Sequence, residues 1–104
     1  MALKMPERFS GQGAGKTGSD ILDYEIMAEK ASSLGRAGER VETTLAALRA
    51  HQGDACERSR LLRDAADAVY AYFIQRELCG LRRHHEVIRE YGIPSEVLVR
   101  LGAR

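Results

Sequence analysis

From Tyr24 the chain repeats apolar residues on a seven-residue period: Tyr24, Ala31, Gly38 and Leu45 at one position, with Met27, Leu34, Val41 and Leu48 three residues after each. Alternating steps of three and four put all eight on one narrow stripe of an α-helix, the kind that meets a partner along a coiled-coil seam. The pattern predicts a helix over about 20–51. Gly35 and Gly38 speak for a break, since glycine inside a helix costs about 1 kcal/mol against alanine. Gly38 lies on the stripe itself, however, where a missing side chain lets another helix approach closely. The helix is therefore expected to run through both glycines, with a kink as the alternative.

Gly53 suits the end of this helix, and Asp54 with Glu57 three residues later has the spacing of a capping box. A second helix is expected over about 55–91. Gly92 then stands just past its end, Ile93 where it folds back on Ile88, and Pro94 where the helix cannot continue. A short last helix is expected over 95–101, closed by Gly102. Two long helices joined by a tight turn make an all-α antiparallel hairpin. Within the second helix the run AVYAYFI, residues 68–74, is apolar around nearly its whole circumference. Such a helix needs cover on all sides. With only one other long helix in the chain, the simplest cover is a second copy. The expectation is a homodimer with a four-helix core, packed through Leu62, Val69, Tyr72, Phe73 and Leu78.

Residues 1–19 hold four glycines, a proline and no apolar period, and are expected to be a flexible tail ahead of a single helical domain over 20–104. The stretch SGQGAGKTGSD in this tail ends its glycine run in Gly15-Lys16-Thr17, which raises the question of a phosphate-binding loop. That motif needs a glycine five residues before Gly15, where this chain has Ser10, and it needs a strand before it and a helix after it. Neither requirement is met in the sequence, and Gly18 is expected to break any helix beginning at Lys16. The glycines are read as linker.

Sixteen basic and fifteen acidic residues leave a formal charge of +1 over 104 residues, so no global field draws the chain to nucleic acid or anionic lipid. No segment is apolar for long enough to span a membrane, and the charged N-terminus does not resemble a signal peptide. A cytoplasmic location is expected. Cys56 and Cys79, the two cysteines, would lie far apart on one helix and are read as reduced thiols.

The densest polar cluster is QRELCGLRRHHE, residues 75–86. Cys79 stands five and six residues from His84 and His85, a spacing that suits neither metal ligation nor a cysteine nucleophile with its base. No metal, cofactor or catalytic residue is assigned. Glu77 is expected to pair with an arginine. Arg76, Arg82, Arg83, His84, His85 and Arg89 form a candidate surface for an anion or a partner. The interleaved Glu77, Glu86 and Glu90 instead suggest an ordinary solvated helix face. From Glu86 to Leu101 the order helix, glycine turn, helix has the outline of a DNA-reading helix-turn-helix. Ile88 stands where a small residue is usual, and only Arg100 is basic on the second helix, so a short clasp accounts for the same residues better.

The stretch FIQRELCGLRRHHEVIREYGIPSEVLVRLG, Phe73 to Gly102, resembles the C-terminal signature of a family of small uncharacterised bacterial helical proteins, one of the domain-of-unknown-function families. The resemblance implies a small helical protein and transfers no activity, cofactor or catalytic residue. The reading reached is a non-catalytic, homo-oligomeric interaction or structural module. The alternatives are nucleic-acid binding through the Arg82–Arg89 strip and the C-terminal unit, and a small-ligand or enzymatic pocket around Glu77, Cys79 and His84.

Overall fold

The computed structural model describes residues 17–102, and those residues form four helices and no strand. They are α1 (Gly18–Arg49), α2 (Ala55–Leu78), α3 (His85–Tyr91) and α4 (Ser95–Leu98). Of the expected flexible tail, residues 1–16 lie outside the described residues. The remainder is ordered helix start, because the Thr17 hydroxyl accepts from the Asp20 amide at 3.1 Å and the Asp20 carboxylate accepts from the Thr17 amide at 3.3 Å. This reciprocal box satisfies two of the amides a helix start leaves open, and Gly18 is the first residue of the helix.

α1 runs unbroken through Gly35 and Gly38. Its seam meets α2 only in the C-terminal half: Gly38, Val41, Leu45 and Leu48 are buried, Leu34 is half-buried, and Tyr24, Met27 and Ala31 are exposed. α1 ends at Arg49, where the Ala50 amide donates to the Ala46 carbonyl and the His51 amide to that of Leu48, without help from a left-handed Gly53. Asp54 then caps α2 by accepting from the Glu57 amide at 2.8 Å.

The second helix stops at Leu78, not at Tyr91 as its sequence suggests. Gly80 takes φ +88°, a left-handed conformation that only glycine enters without strain. Its amide returns to the Glu77 carbonyl and that of Leu81 to Arg76, which closes the helix. The same device recurs at Gly92, φ +65°, with the Ile93 amide returning to the Ile88 carbonyl. The last helix is correspondingly one turn, Ser95–Leu98, followed by further turns rather than helix to residue 101.

Ending α2 early frees α3 and α4 to fold back over it, and this covers one side of its apolar band, leaving Tyr70, Ala71 and Ile74 exposed. Val87, Ile93 and Val97 join Val41, Leu45, Leu48, Leu62, Ala65, Val69, Tyr72 and Phe73 in one core. Each fully buried aliphatic side chain there contributes about 1.5–3 kcal/mol. Leu62, Val69, Tyr72 and Phe73, expected to face a second copy, are between 0% and 8% exposed within the single chain. They have no surface left to offer a partner. Of the five expected interface residues only Leu78 is open, at 60%.

Two arginines fasten the clasp to the turn end of the hairpin. Arg49, in the last turn of α1, donates from Nη2 to the carbonyls of Tyr91 at 2.7 Å and Gly92 at 3.2 Å, satisfying acceptors at the end of α3. Arg58, in the first turn of α2, pairs with Glu96 of α4. The residues drawn from sequence as a helix-turn-helix outline thus form a clasp packed on α2, and α4 is too short to lie along a DNA groove as a reading helix.

Candidate functional site

The polar cluster of residues 75–86 straddles the end of α2 and the connector that follows it. Its centre is His84, the residue before α3, whose ring lies parallel to Phe73 at 4.2 Å between centroids and 5° between planes. Arg76 Nε donates to His84 Nδ1 at 3.0 Å. A guanidinium can only donate, so Nδ1 carries no hydrogen and the proton of the neutral ring sits on Nε2, which donates to Glu77 Oε2 at 3.1 Å. Arg76 also donates from Nη2 to the Arg83 carbonyl at 2.7 Å and lies over the Tyr72 ring at 5.9 Å.

This arrangement ties the connector back onto α2. Both ring nitrogens of His84 are engaged, so the imidazole has no free lone pair with which to take a proton from a substrate. Glu77 and His84, grouped in sequence with Cys79, do come together. Cys79 does not join them: its Sγ lies 3.9 Å from the carbonyl oxygen of Lys30 on α1. Of the candidate anion surface, Arg76 and His84 are occupied in the latch, while Arg82, Arg83, His85 and Arg89 are exposed. Among the described residues no three His, Cys, Asp or Glu side chains stand together as a metal site would need.

A second polar centre, which sequence reading missed, lies where the clasp meets α1. The Tyr91 ring meets Tyr72 edge-on at 5.6 Å and 87°, and its hydroxyl rests against Gly38. Burial pushes the Tyr91 phenol up to about 12 from its ordinary 10.0, with the Tyr72 hydroxyl and the nearby charges of Glu42 and Glu90 adding to the rise. Gly38 was legible as a point of close approach, but the approaching group belongs to the same chain.

An apolar surface is also left uncovered. Where α2 ends, Met27, Lys30, Ala31 and Leu34 of α1 and Leu78 and Cys79 line a shallow groove of about 290 Å³. Beyond it, among the described residues, α1 continues alone, with Ile21 50%, Leu22 56%, Tyr24 71%, Ile26 45% and Met27 69% exposed. On the outer side of α2, Tyr70, Ile74 and Leu78 stand at successive four-residue steps and are exposed too.

Fold and surface together define a helical hairpin closed by a C-terminal clasp, with a long bare apolar extension. The chain belongs to the family of unknown function DUF6665, whose model matches residues 10–104. The match extends the resemblance seen over residues 73–102 to nearly the whole chain. No curated protein and no solved structure matches it. No helix among the described residues is long and apolar enough to cross a membrane.

Proposed function

We propose that this protein is a non-catalytic, self-associating interaction module. The observation that carries this reading is the seam of α1, which continues past the end of α2 as exposed Tyr24 and Met27, flanked by exposed Ile21, Leu22 and Ile26. A contiguous apolar surface of that kind marks a place where another chain sits. The latch at His84 reads as structural, since its polar groups satisfy one another. A reducing compartment, the cytoplasm, fits Cys56 and Cys79, which are both free thiols, Cys56 exposed.

The test is the molar mass in solution by light scattering on a reduced sample at two concentrations. A mass near twice that of the chain at the higher concentration is expected. A monomer at both would overturn the reading.

A further inference from the structure

We propose that two copies associate through the free half of α1, each lying antiparallel along the other, so that the acidic first turns of one reach the basic connector that follows α2 of the other. This rests on the self-association proposed above and specifies its surface and geometry.

The level at which α2 stops is fixed by Cys79, beside the Lys30 carbonyl, and by Leu78, in a groove with Met27 and Leu34. Residues 18–29 of α1 therefore run past the hairpin, a length of about 18 Å at 1.5 Å per residue. The second copy's free segment, coming the other way, has the same length. Overlap of residues 18–30 of one with 30–18 of the other brings Tyr24 opposite Tyr24, Ile21 opposite Met27, and the first turn opposite the end of α2. The arrangement is two-fold by construction and closes on itself, which a head-to-tail contact does not.

At the ends of the overlap charge favours this direction, while at its centre Asp23 of each copy stands level with Glu25 of the other. The free segment carries Asp20, Asp23, Glu25 and Glu29 against a single Lys30, whereas residues 78–85 hold Arg82, Arg83, His84 and His85 and no acid. A parallel pairing would hold the acidic turns of both copies together at one end and leave both connectors unmet. The overlap covers Ile21, Tyr24 and Met27 of α1 with Leu78 and Leu81 at the end of α2, which are 43–71% exposed. At roughly 200 Å² for a fully exposed large side chain they offer on the order of 600 Å² per copy, about 1,200 Å² in total, the lower end of a standard interface.

The experiment uses the full chain with Cys56→Ser and Cys79→Ser. Adding Tyr24→Cys should give a disulfide-linked dimer under mild oxidation, because the two new thiols face each other across the axis, and Ala46→Cys, exposed on the covered half of α1, should not. In the unmodified chain, Met27→Asp and Leu78→Asp should each yield monomers with the helix content of the core retained, both sites being exposed. Arg82→Glu with Arg83→Glu should weaken association at least about tenfold. A dimer that survives Met27→Asp and Leu78→Asp and is not trapped at Tyr24→Cys would overturn this geometry while leaving self-association standing. A monomeric unmodified chain would overturn both.

Discussion

Gly38 of α1 and Tyr91 of α3 touch so closely that a β-carbon at position 38 would lie 2.9 Å from the Tyr91 phenolic oxygen. Fifty-three residues apart in sequence, they join the middle of the hairpin to the clasp that closes it. Gly35, one turn earlier on the same helix, faces open space, with nothing within 4 Å of the corresponding position.

The two glycines should therefore answer the same substitution differently. Gly35→Ala should stabilise the chain by about 1 kcal/mol through helix propensity alone. At Gly38→Ala that gain is offset by an overpacking cost of about 1–3 kcal/mol, so the melting temperature should stay level or fall. In a Tyr91→Phe background, which removes the clashing oxygen, Gly38→Ala should recover most of its gain. Equal rises at both glycines would refute the contact.

Gly80 should resist substitution for a backbone reason. No atom lies within 4 Å of a β-carbon there, yet its φ of +88° disfavours any side chain. Gly80→Ala should cost about 1–2 kcal/mol in urea unfolding, with Gly80→Asn less damaging.

The His84 latch should be stabilising. His84→Ala removes the stacking on Phe73 and both hydrogen bonds, a loss of about 2 kcal/mol. Amide exchange should then quicken first in residues 79–84 and at the start of α3. A loss of stability with exchange unchanged in the connector would show that the latch is not what holds it.

Alkaline titration should single out Tyr91. A phenol held neutral up to about 12 in the folded chain, against 10.0 when unfolded, binds its proton where the unfolded chain has lost it. Its contribution to stability is complete below pH 10 and declines as pH rises from about 10 to about 12. Phenolate absorbance should show one late-titrating tyrosine that disappears in Tyr91→Phe.

The hairpin was legible because its signals are local and periodic. The eight-residue stripe lies on one continuous helix, Asp54 does cap α2, and Gly92 with Ile93 does turn the chain. The end of α2 was also written in the sequence, in Gly80 followed by Leu81, the same pair of glycine and apolar residue as Gly92-Ile93. It was masked by charged residues on either side that suit a helix equally well. That one boundary carried the covering of Leu62, Val69, Tyr72 and Phe73 with it, since a helix continuing to Tyr91 leaves nothing to fold back. The bonds from Arg49 to the Tyr91 and Gly92 carbonyls had no such signature: they join residues more than forty positions apart, and neither partner has a motif that announces the other. The Glu77–His84 pairing was half visible, as two residues seven positions apart, but the chain reversal between them is what brings them together.

The bare half of α1 has a further consequence for how the chain behaves when dilute. A helix of about a dozen residues with little tertiary contact is marginal in water, and among the described residues the Thr17–Asp20 cap and continuity with the packed half sustain this one. Winding of residues 18–30 and docking of a second chain are then linked equilibria, each raising the other. Ellipticity should grow with protein concentration. Along α1, exchange protection should climb from the first turns toward Leu45, and dilution should unwind the free end while the hairpin beneath it stays folded.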